Sequence, residues 1–154
     1  MFLTLENLLK NMMTEFKYYE LNEEEKKYIL KKLREILSIE EEIVFAYVHG
    51  GFIERSFFRD IDVAVWIKSL EKAFYYTVNY SVKLEIKIGY PVDVHVLNEA
   101  PLSFRYHVFT RGKLLFSKDE YLRSLIVNTT IREYLDFKLL EKLVLKESTR
   151  VRRS

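Results

Sequence analysis

Cysteine is missing from all 154 residues, which excludes disulfides, cysteine-based zinc sites and thiol catalysis. Glycine and proline are scarce, at four and two residues, so long irregular loops and linkers have little to be made from. The longest uninterrupted apolar run is Ile43–Val48, far short of the ~20 residues of a membrane span. No charge of one sign dominates: 25 basic and 23 acidic side chains leave a net charge of +2. A nucleic-acid coat protein would be far more basic, so nucleic acid is not expected as a direct partner. Glu6, Lys10, Glu15, Lys17 and Glu20 do not suit a signal peptide, and a cytoplasmic location is expected. Glutamine is absent while Lys, Glu, Ile and Tyr abound, the composition of a heat-adapted protein.

What is present is enough for one domain over residues 1–154. Apolar residues make up 49% and aromatics 15%. A chain of this length buries roughly 70% of its unfolded surface. The core is expected over about 22–118. Phe2–Tyr19 is apolar at roughly helical spacing. Asn22 with Glu25 resembles a capping box opening a helix whose stripe is Leu21, Ile29, Leu33 and Leu37. Ile43–Val48 reads as a strand covered on both faces, ended by His49-Gly50-Gly51. Phe52–Phe58 is a short connection, with one helical turn at most. Strands are expected at Ile61–Ile67, Pro91–Leu97 and Lys113–Phe116, and helices at Leu70–Lys87 and Pro101–Thr110. Ser117 and Glu120 have capping-box spacing ahead of a long helix to about Lys146, with a frayed end at Ser148–Ser154. The order implies an α/β (α+β) domain, a small mixed sheet with helices packed on one face and a long C-terminal helix.

Aspartate is used only five times, and Asp60, Asp62 and Asp93 fall at strands, where it is disfavoured. Side chains alternate along a strand. Ile61, Val63, Val65 and Ile67 therefore share one face, and Asp60 and Asp62 the other, their Cα atoms about 6.5–7 Å apart. Two carboxylates so placed repel, and a hard divalent cation removes the conflict. In the third strand Asp93 and His95 point opposite to Val92, Val94 and Val96. If that strand lies beside the second, Asp93 completes a three-carboxylate cluster able to hold two metals. Gly50 and Gly51 let backbone N–H groups approach a phosphate.

The segments Tyr47-Val-His-Gly-Gly51, Arg59-Asp-Ile-Asp-Val-Ala-Val65, Val92-Asp-Val-His-Val-Leu-Asn98 and Gly112-Lys-Leu-Leu-Phe116 resemble the polymerase-beta-like nucleotidyltransferases. The short chain is similar to their minimal nucleotidyltransferase branch. The resemblance implies the nucleotidyltransferase fold and transfer of a nucleoside monophosphate, AMP from ATP, to a hydroxyl. Asp60, Asp62 and Asp93 would bind Mg2+ in a two-metal site and act in catalysis. Gly50, Gly51, Arg55 and Arg59 would bind the nucleotide. Members of the branch are often antitoxins that silence HEPN-type ribonuclease toxins by adding AMP to a toxin tyrosine, so a protein partner is implied. Two departures affect the triphosphate cradle. Gly51 stands where the family carries a phosphate-binding serine, and the loop to Asp60 is shorter.

Each residue also has a plainer reading. Asp60 and Asp62 would be an exposed edge pair, Asp93 a lysine-paired carboxylate, and Gly50-Gly51 an ordinary turn. His49, His95 and His107 share no metal-ligand spacing and read as structural, though His95 is placed to line a pocket beside Asp93. Arg55 and Arg59, like Tyr106, His107 and Arg111, are either site residues or ordinary surface. Arg150, Arg152 and Arg153 read as a solvated tail. Besides the enzyme, two alternatives stand. One is a catalytically impaired module that binds a partner through its long helix. The other is a small-molecule transferase, for which a homo-oligomer would have to complete the pocket.

Overall fold

The computed structural model describes residues 4–5 and 17–153. The stretch Phe2–Tyr19, expected to be helical, lies largely outside them, and its last residue begins a strand instead. The elements are β1 (Tyr19–Glu20), α1 (Glu23–Ser38), β2 (Ile43–His49), α2 (Gly51–Glu54), β3 (Phe57–Phe58), β4 (Ile61–Ile67), α3 (Ser81–Ile88), β5 (Val92–Val96), α4 (Leu102–Arg111), β6 (Lys113–Ser117) and α5 (Glu120–Arg153). Asn22 caps the helix as expected, although Glu25 returns the bond to its side chain rather than to its backbone N–H. Its Oδ1 accepts from the Glu25 N–H at 2.8 Å and its amide donates to the Glu25 carboxylate at 3.3 Å.

The main sheet has the order β5-β4-β2-β6. β2 runs antiparallel to β4 and β6, and β4 is parallel to β5. The parallel pair needs a crossover, which the segment from Leu70 to Ile88 supplies. That segment is helical throughout, as expected, but not uniformly so. A 3-10 turn (Leu70–Lys72) precedes a π-helical stretch (Tyr75–Tyr80), and only Ser81–Ile88 is regular. The hydroxyls of Thr77 and Ser81 bond back to the carbonyls of Ala73 and Thr77, which loosens the helical ladder, and Tyr76 and Tyr80 are both buried. β1 and β3 form a separate two-stranded ladder, Tyr19 opposite Phe58.

Each face of the sheet is apolar because β2 is apolar throughout. On one face α1 and α3 bury Ile29, Leu33, Leu37 and Leu84 against Val48, Ile61, Val63, Val65, Val92 and Val94. Helices were expected on one face only, but the second face is covered as well, by the long C-terminal helix among others. The other face carries Phe45, Tyr47, Ala64 and Trp66, and is covered by Phe104, Val108 and Phe109 of α4 with Leu122 and Ile126 of α5. Leu33 is fully buried, so Leu33→Ala is expected to cost about 2–5 kcal/mol of stability in urea unfolding. A loss below about 1 kcal/mol would contradict this packing.

β5 is an edge strand, yet two of its outward N–H groups are bonded. Ser81 Oγ accepts from Val94 N–H at 3.1 Å and Glu85 Oε1 from Val92 N–H at 3.2 Å.

α5 differs from expectation at both ends. β6 runs on to Ser117, so the cap moves to Asp119, whose Oδ1 accepts from Leu122 N–H at 3.0 Å. The helix continues to Arg153, where Arg150, Arg152 and Arg153 complement its negative end. Its 34 residues span about 51 Å. The first turns dock on α4, with Tyr134 stacked on Tyr106 at 3.9 Å between centroids. From Leu135 onward every described residue is exposed, Leu139, Leu140 and Leu143 included. Among the described residues no helix is long and apolar enough to cross a membrane.

Candidate functional site

The chemistry-bearing residues gather where β4 and β5 begin and β2 ends. Antiparallel register sets His49 opposite Asp62. Parallel register sets Asp62 beside Asp93 and Ala64 beside His95. Alternation then brings Asp62, Asp93 and His95 out on one face, and one donor atom from each lies within 4.8 Å of the others. His95 Nε2 is 3.4 Å from Asp62 Oδ1. Asp60 stands one residue ahead of β4, with Arg59 Nε 3.8 Å from its carboxylate.

The electrostatics record the crowding. Burial, then the charges of Asp62 and Asp93, push the Asp60 carboxyl above its ordinary range, against the pull of Arg59. The hydrogen bond to Asp62 raises the His95 imidazole. Burial lowers that of His49, whose Nε2 is buried with no hydrogen-bond partner among the described residues. Carboxylate oxygens with an imidazole nitrogen are a donor set that suits a divalent cation, and such an ion would relieve the repulsion.

The turn after β2 explains its first glycine. Gly50 has φ 75° and ψ −156°, a region open essentially to glycine alone. A Cβ there would lie 2.4 Å from Asp62 Oδ2, so the carboxylate occupies the space a side chain would fill. Gly51 is different: a Cβ there would meet nothing nearer than 3.9 Å. The chain after α2 is held by Lys26, a buried lysine whose Nζ donates to the Arg55 carbonyl at 2.7 Å.

Two cavities flank the carboxylates. One of about 200 Å³ is lined by Tyr18, Gly51, Arg55, Phe57, Arg59 and Asp60. The other, about 490 Å³, is lined by Phe74, Thr77, His95, Glu99, Pro101 and Phe104. A larger cavity of about 540 Å³ lies at the opposite end of the sheet, among Glu40, Glu42, Lys72 and Tyr76.

Asp60, Asp62, Asp93, Gly50, Gly51, Arg55 and Arg59 thus meet at one end of the sheet. Tyr106 and His107 do not: their rings lie against Tyr134 in the α4–α5 seam. Arg111 is exposed at the end of α4. Sequence reasoning missed Phe104, whose ring lies 5.3 Å from that of His49 and 5.2 Å from that of His95. The only signal was an aromatic on the helix that follows the third strand. It also left His49 as structural, because its place opposite Asp62 depends on strand register.

The family model described as polymerase beta, nucleotidyltransferase, matches residues 31–121. The fold is similar to a chain of the Shewanella oneidensis complex of tri-AMPylated HEPN toxin with MNT antitoxin. That similarity has a TM-score of 0.59 at 19% identity, over 80% of this chain and 98% of the other. It is also similar to a chain of the toxin–antitoxin MntA–HepT, at TM-score 0.54 and 20% identity, covering 83% and 99%. A toxin–antitoxin structure with AMP-PNP matches at TM-score 0.58 and 21% identity, covering 80% and 98%. No curated protein is matched.

Proposed function

Since this chain belongs to the polymerase beta nucleotidyltransferase family, we propose that it transfers AMP from ATP to a hydroxyl of a protein acceptor, as the antitoxin of a HEPN-type toxin. The observation that carries the reading is the register that sets Asp62 beside Asp93, with Asp60 one residue ahead of the strand. In the reaction the acceptor oxygen bonds to the α-phosphorus, the α–β bridging bond breaks and pyrophosphate leaves. The hydroxyl proton passes to Asp93. Asp60, Asp62 and Asp93 would hold magnesium, which supplies charge stabilisation for the leaving phosphate. Arg55, Arg59 and the backbone N–H groups after Gly50 hold the triphosphate on the side of the smaller cavity. The HEPN-type partner is carried over from the matched toxin–antitoxin complexes.

Incubation with α-labelled ATP, Mg2+ and a HEPN-type protein from the same genome tests this. Label on a tyrosine of the partner is expected. Its absence from a folded pair would refute the transfer.

The room beside Gly51 yields a second expectation. Gly51→Ser is expected to fold normally and to bind ATP about 10- to 100-fold more tightly, as one hydrogen bond to a charged group is worth about 1.5–3 kcal/mol. Calorimetry reads it, and an unchanged affinity would place the triphosphate away from this loop.

One observation favours the alternative, a module that binds a partner without transfer: the exposed leucines of the outer half of α5. Calorimetry separates the readings. Mg-ATP binding that Asp62→Asn removes supports the enzyme, and no binding at all supports the module.

A further inference from the structure

We propose that His95 is a nitrogen ligand in the cation site, so that this protein takes Mn2+ in preference to Mg2+. The inference rests on the metal-dependent reading above and sharpens it for this chain.

Three features carry it. His95 lies two residues beyond Asp93 on β5, and therefore shares its face. Its Nε2 stands 3.4 Å from Asp62 Oδ1. That is a long hydrogen bond without an ion, and a few tenths of an ångström above the spacing of about 3 Å between neighbouring ligands of an octahedral ion bound at about 2.1 Å. The ring is also held in place: it packs 5.5 Å from the ring of His49 and 5.2 Å from that of Phe104. A ligand fixed before the ion arrives loses little freedom on binding.

The donor chemistry then selects the ion. Magnesium is a hard cation that keeps oxygen and water around it. Replacing one of those oxygens with an imidazole nitrogen favours a first-row transition ion. Mn2+ belongs to that row and, like Mg2+, suits carboxylate oxygens and acts in charge-stabilising phosphate chemistry, so it matches a site of two carboxylates and one imidazole. Asp62 and Asp93 supply the two carboxylates, with donor atoms in the same 4.8 Å cluster.

The test uses the full chain, freed of metal, in a buffer without nitrogen donors and with no nucleotide. MnCl2 and MgCl2 are titrated separately, and the Mn2+ complex is examined by pulsed electron paramagnetic resonance for nitrogen coupling. Expected are tighter binding of Mn2+ than of Mg2+ and a nitrogen signal from one imidazole. His95→Asn should lose that signal and weaken Mn2+ binding by at least about tenfold, with little change for Mg2+. Circular dichroism checks the variant's fold, and His95→Gln serves if it fails, although the wild-type spectrum already decides whether nitrogen is bound. Mn2+ bound without nitrogen coupling, or coupling that survives in His95→Asn, overturns the role of His95 and leaves the carboxylate site standing. If neither ion binds, both the inference and the metal-dependent reading fall.

Discussion

Asp62→Asn is expected to reduce nucleotidyl transfer by about a thousandfold or more while leaving the metal-free protein at least as stable as before. The first half follows from position. Asp62 is flanked by Asp93 on one neighbouring strand and by His49 on the other, and its carboxylate contacts His95. On the proposed metal-dependent reading, removing its charge takes away a ligand that no neighbouring side chain replaces. Charge stabilisation by a bound ion is worth several kcal/mol, and each 1.36 kcal/mol is tenfold in rate. The second half follows from crowding. The charge of Asp62 is one of the causes that push Asp60 upward, so its loss relieves repulsion in the absence of metal. Transfer assays and urea unfolding of the metal-free protein read the two quantities. A stability loss above about 2 kcal/mol would mean instead that Asp62 serves the fold through a buried hydrogen bond.

Gly50→Ala is expected to disable the site by a different route. The backbone at this position costs a non-glycine residue about 1–3 kcal/mol. The added methyl would also lie 2.4 Å from Asp62 Oδ2, so either the carboxylate swings away or the turn rebuilds. Either movement separates the end of β2 from the start of β4. Metal affinity and transfer should fall together, with unfolding at lower urea. The neighbouring Gly51→Ala is the control, because a Cβ there makes only ordinary contacts, at 3.9 Å or more. If both alanine variants behave alike, the conformation given for Gly50 is wrong.

The two variants also mark what a reader of the sequence is able to see. Alternation alone separates Asp62 from Val63 and Asp93 from Val94, since the period of a strand leaves no other assignment. The stripe of α1 is legible for the same reason, and Leu33 and Leu37 are fully buried as that spacing requires. Which strands are neighbours is not written in any local pattern. The match of Asp62 with Asp93 becomes definite only when β5 lies parallel to β4, and that of His49 with Asp62 only with the register of β2. The helical crossover from Leu70 to Ile88 was legible, but its 3-10 and π turns were not, because tyrosines and β-branched residues suit several backbones. Tertiary burial of Tyr76 and Tyr80 decided among them. The helix cap moved from Ser117 to Asp119 because sheet pairing claimed Ser117 first.

Ser81 and Glu85 have a consequence for how another molecule can approach. β5 borders the carboxylates, and a bare edge there would invite an incoming strand to zip on through its backbone. With the Val94 and Val92 N–H groups already taken, that backbone-to-backbone route loses two of its donors. On the function proposed above, an acceptor that approaches this edge is recognised by its side chains and its shape. Docking by shape is selective where strand addition is tolerant of sequence, so the side-chain bonds along this edge guard it against promiscuous pairing and against aggregation.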